Sequence, residues 1–146
     1  MKKDVRHRAR EAALQILYHA EVGRSDVERA AETFFAHQWP NSEPPTDEFR
    51  EFATTLARET TSRLTAIDAL IAETTERWRP ERMAILDRLI LRMAICELMT
   101  DPGLPAAIVI NEALELGRTF STEESVGFIN GMLDAIRKKL EARRQA

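Results

Sequence analysis

A single cysteine, Cys96, among 146 residues leaves no partner for an internal disulfide. It lies in an apolar stretch and reads as a buried thiol, the ordinary state in a reducing compartment. Five glycines and six prolines are too few for a loop-rich or low-complexity chain. No apolar run approaches the ~20 residues of a membrane span. The basic start is not followed by the apolar core of a secretory signal. A cytoplasmic protein without membrane contact is therefore expected. The three histidines, His7, His19 and His37, fall on no common helix turn and have no second cysteine beside them, so no zinc site is expected. A glycine-rich phosphate loop is also missing. These absences predict a protein that is not an enzyme and carries no cofactor.

What is present is helix. No β-branched alternating run occurs, whereas apolar residues recur at three- and four-residue intervals along most of the chain. With 44% hydrophobic and 31% charged residues, the chain suits a single soluble domain that buries its own core. The spacing predicts a first helix from about Asp4, as N-cap, to Val22, with Gly23 as its stop. A second starts after Ser25-Asp26 and fades in "HQWPNSEPP", and a third is capped by Thr46. The fourth carries Leu64, Ile67, Ile71 and Trp78 and ends at Arg79-Pro80. The fifth, "ERMAILDRLILRMAICELM", is apolar around most of its circumference and belongs at the centre. Pro105 opens the sixth, and Ser121-Thr122-Glu123-Glu124 matches an S-x-x-E capping box that launches the seventh. The expectation is an all-α bundle of about seven helices in two subdomains, three plus four, divided near residues 63 and 64 within one domain spanning 1–146. Asn130-Gly131 inside the seventh helix suggests close approach by a neighbouring helix, Trp39 and Trp78 suggest packing anchors, and "RKKLEARR" at 137–144 suggests a solvated tail.

Net charge at pH 7 is only −3, but its distribution is uneven. Lys2, Lys3, Arg6, Arg8 and Arg10 face one carboxylate, Asp4, within ten residues. Local potential of this kind, more than the molecular total, attracts a polyanion. At about 100° per residue, Ala9, Ala12, Ala13, Ile16 and Ala20 form one stripe. His7, Glu11, Leu14, Gln15 and Tyr18 lie opposite, with Arg8 and Arg10 at the edges. Cations for phosphates, an amide for base edges and a ring for stacking are what single-stranded RNA requires. A bland alternative stays open, in which Leu14 and Tyr18 pack internally and the arginines form a solvated helix start.

Four segments resemble the NusB family of bacterial transcription antitermination factors. They are "RAREAALQILY" at 8–18, "ILDRLILRMAICEL" at 85–98, "IVINEALELGRTFSTEES" at 108–125 and "FINGMLDAI" at 128–136, in the family's order and spacing. The resemblance implies two helical subdomains and binding of boxA-type single-stranded RNA in nascent ribosomal RNA transcripts. It also implies pairing with the ribosomal protein NusE and service in an RNA polymerase antitermination complex. It assigns RNA contacts to Lys2, Arg6, His7, Arg8, Arg10, Tyr18, Phe120 and Glu124, and partner contacts to Asp87 and Glu81. Lys3 and Gln15 join the RNA set through their position on the first helix. His7 stands where many relatives have arginine; with an ordinary pKa near 6.5 an imidazole is mostly neutral at pH 7. Two other readings remain. One is an accessory domain like the helical segment preceding some ribosomal RNA methyltransferases, although the chain's end at Ala146 leads us to expect no methyltransferase domain. The other is a homodimeric structural bundle joined through Leu14 and Tyr18.

Overall fold

The computed structural model describes residues 2–39, 44–76 and 78–145. Its elements are α1 (Lys3–Gly23), α2 (Val27–Thr33), α3 (Asp47–Ser62), α4 (Leu64–Thr74), α5 (Ile85–Thr100), α6 (Ala106–Phe120) and α7 (Glu123–Gln145). Among the described residues there is no strand, and no helix is long and apolar enough to cross a membrane. The all-α class with seven α-helices is as expected. The chain divides at Ser62/Arg63 into two units. Most of the proline loop expected near 40–45, residues 40–43, lies outside the described residues.

In the first unit α1 packs on α3 and on α2. Ala9, Ala12 and Ala13 on α1, with Ala53 and Ala57 on α3, are almost wholly buried; such small side chains let helix axes approach closely. Asp26 caps α2 by accepting the Arg29 N–H at 2.8 Å, and Thr46 accepts the Phe49 N–H at 3.2 Å at the start of α3. Both caps follow from the residue types. After α2 the backbone widens into a π-turn over Phe34–Gln38. There Phe34, Phe35 and Trp39 gather with Phe49, Trp39 meeting Phe49 edge-on at 4.9 Å between centroids. Trp39 is thus an anchor, as its position at a helix end suggests.

In the second unit α5 is central. Leu89 to Leu98 are buried without exception, and the helix packs against α4, α6 and α7. Trp78, expected on the fourth helix, lies beyond its end at Thr74. Its ring instead sits under the Arg92 guanidinium, 5.8 Å from the centroid.

Several helix ends differ from expectation: α1 starts with Lys2, not Asp4, as its N-cap. Gly23 remains helical, and Arg24 adopts the left-handed conformation that closes α1, with φ 51°. Pro105 is the residue before α6 and not its first member. The cap of α7 is Thr122, which accepts the Ser125 N–H at 3.1 Å. Ser121 is otherwise engaged, as described below. The segment at 137–144, expected as a solvated tail, is exposed from Glu141 onward, although two of its arginines are held. α7 stays helical to Gln145, with Arg143 paired to Glu73 and Arg144 donating to the Leu98 carbonyl.

The expectation of close helix approach at Gly131 is overturned. Gly127 and Gly131 are exposed, and a Cβ built on either meets nothing within 4 Å. The glycine that permits contact is Gly117, where a Cβ would come within 3.0 Å of Val126 Cγ2. Gly131→Ala or Gly127→Ala should therefore raise stability by about 0.5–1 kcal/mol through helix propensity alone. Gly117→Ala should lose that gain to overpacking. Denaturant midpoints of the three variants check the contrast, and equal gains at all three positions would contradict it.

Candidate nucleic-acid interface

Many of the cations among the described residues are engaged by a protein group. Arg58 forks onto Glu28, and Arg92 grips Asp68 at 2.9 and 2.8 Å. Arg118 pairs with Glu115, and Arg137 and Lys138 converge on Asp134. Hydrogen bonds from Arg137 and Lys138 hold the Asp134 carboxyl below its ordinary range. Arg50 lies over the Phe35 ring.

Among the described residues Arg24, Arg29, Arg79 and Arg82 are exposed and unengaged singly or in scattered turns, whereas the start of α1 gathers four such cations within seven residues. Lys2, Lys3, Arg6 and Arg8 are exposed, and among the described residues their charged groups make no hydrogen bond or ion pair. Lys2 is the N-cap and has no side-chain capping bond; Asp4 is the lone acid of the first turn. Cations here oppose the helix macrodipole, so local helix energetics do not explain them.

Arg10 behaves differently. It is 4% exposed, and its guanidinium lies 5.5 Å from the centroid of the Phe52 ring on α3. The reading of Arg10 as a surface cation at the edge of the cluster is corrected accordingly. Leu14, expected on the outward side, is fully buried as well. Both corrections have one cause. The buried arc of α1 is wider than the alanine stripe and includes Arg10, Leu14 and Leu17.

The outward arc that remains carries His7, Arg8, Glu11, Gln15, Tyr18 and His19. His7 Nε2 stands 3.1 Å from Glu11 Oε1. Gln15 is half-buried, and so is Tyr18, whose ring meets the His19 ring edge-on at 5.8 Å. α1 therefore brings exposed cations, an amide and an aromatic ring onto one helix, as the sequence suggested.

The remaining site residues belong to the second unit. Glu81 is exposed in the 3-10 turn Pro80–Arg82. Phe120 ends α6 half-buried, and Glu124 is exposed in the first turn of α7. Asp87, in the first turn of α5, is buried and not displayed. One of its oxygens accepts from the Ser121 hydroxyl and the other from Ser125 Oγ at 2.6 Å. The structure thus ties Asp87 to the α6–α7 junction where Phe120 and Glu124 lie.

Sequence reasoning missed two features here. Phe128 is 41% exposed, one turn beyond Glu124; its spacing from Glu124 was the available signal. The sequence suggests only a capping box for Ser121 and Thr122 and gives Ser125 no role. Among the described residues no three His, Cys, Asp or Glu side chains are grouped to hold a metal ion.

These observations define a class, an all-helical binding scaffold with an unneutralised cationic helix start. The chain belongs to the NusB family, whose model matches residues 7–138, and as a member it is a non-enzymatic protein. The transcription antitermination protein NusB of Koribacter versatilis is 41% identical over 145 residues, covering 99% of this chain and 97% of its own length. The solved structure of T. maritima NusB superposes with a TM-score of 0.79 at 32% identity, covering 91% of this chain and 90% of its own. A crystal structure of antitermination factors NusB and NusE in complex with dsRNA shares the fold, with a TM-score of 0.79 at 22% identity and 94% and 99% coverage.

Proposed function

We propose that this chain is a transcription antitermination factor that binds the boxA element of nascent ribosomal RNA transcripts together with NusE. In this role it works in the cytoplasm within an RNA polymerase antitermination complex and suppresses premature termination. The observation that carries the reading is the start of α1, where Lys2, Lys3, Arg6 and Arg8 stand exposed within seven residues of one another. These four neutralise phosphates. Gln15 offers hydrogen bonds to base edges, and Tyr18 a stacking plane worth about 1–3 kcal/mol per base. Arg10 supports the cluster from beneath, through Phe52.

In the second unit Phe120, exposed Phe128 and Glu124 border the RNA, and NusE docks on the half that contains α5, with exposed Glu81 as a contact. The kinship with antitermination proteins and the fold shared with a NusB crystallised with NusE and dsRNA support this assignment.

The test is a gel shift with a boxA RNA and a scrambled RNA of equal length, with and without NusE. Preferential retention of boxA, tightened by NusE, is the expected result. Equal retention of both RNAs would reduce the interaction to non-specific electrostatics, and no retention would end the proposal. Light scattering of the free chain at micromolar concentration checks the homodimer reading, for which a dimer dissociated by neither RNA nor NusE would speak.

A further inference from the structure

Asp87 is a buried carboxylate with an unusual set of neighbours. Its two oxygens are divided between two hydroxyls, those of Ser121 and Ser125, on either side of the turn from α6 into α7. Hydroxyl-to-carboxylate bonds of this kind are short and about twice as strong as neutral ones. The clasp extends one step further. Thr122 Oγ1 donates to Ser125 Oγ at 3.1 Å and accepts the Ser125 N–H at 3.1 Å. On the other side, the Ser121 N–H closes α6 by donating to the Gly117 carbonyl at 2.8 Å.

One acid on α5 therefore holds two of the three hydroxyls of "STEES" directly and reaches the third, Thr122, through Ser125. The two residues between Ser121 and Ser125 that do not bear hydroxyls near it, Glu123 and Glu124, are left exposed, and Phe120 immediately precedes the clasp. A helix cap needs one hydroxyl. Three hydroxyls and a buried carboxylate exceed what starting α7 requires.

We infer that Asp87 is a positioning residue for RNA binding: through Ser121 and Ser125 it sets the geometry in which the α6–α7 junction presents Phe120 and Glu124. This rests on the RNA-binding reading above and differs from the role of direct partner contact that the family resemblance suggests for Asp87. Both carboxylate oxygens are already committed inside the unit, so Asp87 acts through the junction and does not touch RNA.

The test compares the full-length wild type with Asp87→Asn and with the double variant Ser121→Ala/Ser125→Ala, using a fluorescent boxA RNA and, separately, NusE. Both variants should bind RNA about tenfold more weakly, the order of one lost stacking contact. The slope of log affinity against log salt should not change, because no phosphate contact is lost. In a Phe120→Ala background Asp87→Asn should cost nothing further. Amide hydrogen exchange should quicken in the first turn of α7 and stay protected in α1. If Asp87→Asn does not fold, the double serine variant carries the same test.

Unchanged RNA affinity in folded variants would overturn the inference, as would loss confined to NusE binding or a loss that persists in the Phe120→Ala background. A wild type that retains no RNA would remove the RNA-binding reading and this inference with it. Binding by the wild type with no response to Asp87→Asn would remove the inference alone.

Discussion

Replacing Lys2, Lys3, Arg6 and Arg8 together by alanine should weaken RNA binding several-hundredfold at about 0.1 M salt. It should also flatten the salt dependence from a slope near −3 toward zero. The figures follow from counterion release, about 0.7 ions per phosphate contact on single-stranded nucleic acid. Folding should be untouched, because these side chains are exposed and Lys2 precedes the helix. Removing cations from the positive end of the macrodipole even favours α1 slightly. Arg10→Ala is the internal control. Its guanidinium lies against the Phe52 ring at 4% exposure, so its loss should lower the melting temperature and leave the salt slope in place. Fluorescence anisotropy across a salt series, with circular dichroism on each variant, checks both halves. A wild-type affinity indifferent to salt would contradict the role given to the four side chains. So would a quadruple variant that binds as tightly as the parent.

The difference between Arg10 and its neighbours also shows how far sequence could reach. Periodicity identified α1, its alanine stripe and the outward Gln15 and Tyr18, because an apolar face at helical spacing must be buried. It could not fix the width of the buried arc, which depends on what packs against the helix. Arg10 and Leu14 sit at that margin, and Phe52 decides Arg10's fate from 42 residues away in sequence.

The same limit explains the α6–α7 junction. Ser121 and Thr122 are both good caps by residue type. Asp87, 34 residues from Ser121, draws the serine hydroxyl to itself, and the cap passes to Thr122. Gly131 looked like a packing device because a glycine inside a helix costs stability. The close approach is at Gly117 instead, where the neighbour is Val126 of the following helix. Composition and spacing give the number and order of the α-helices, though not where each ends. Which polar group is captured by a distant partner requires the tertiary arrangement.

Arg92 gives the largest expected effect on stability, and it too is invisible to periodicity. It lies in α5 within an otherwise apolar run, 7% exposed, with both ends of its fork on Asp68 and its plane over Trp78. Arg92→Ala removes the bidentate bond, uncovers the indole face and leaves the Asp68 carboxylate unpaired in a half-buried position. Breaking a buried pair from one side costs about 3–5 kcal/mol. Asp68 retains 28% side-chain exposure, which moderates the loss to about 2–4 kcal/mol, or roughly 5–15 °C in melting temperature for a chain of this size.

Arg58→Ala, which breaks an equally well-aligned pair with Glu28, should shift melting far less, because both partners there are about half exposed and screened by water. The double change Arg92→Met/Asp68→Leu separates charge from packing. It removes both charges of the pair while keeping a stem against Trp78, and should recover most of the loss. Scanning calorimetry on the four proteins decides the matter. Equal destabilisation by Arg58→Ala and Arg92→Ala would mean that burial does not set the strength of these pairs, and failure of the double variant to recover would place the role of Arg92 in shape and not in charge.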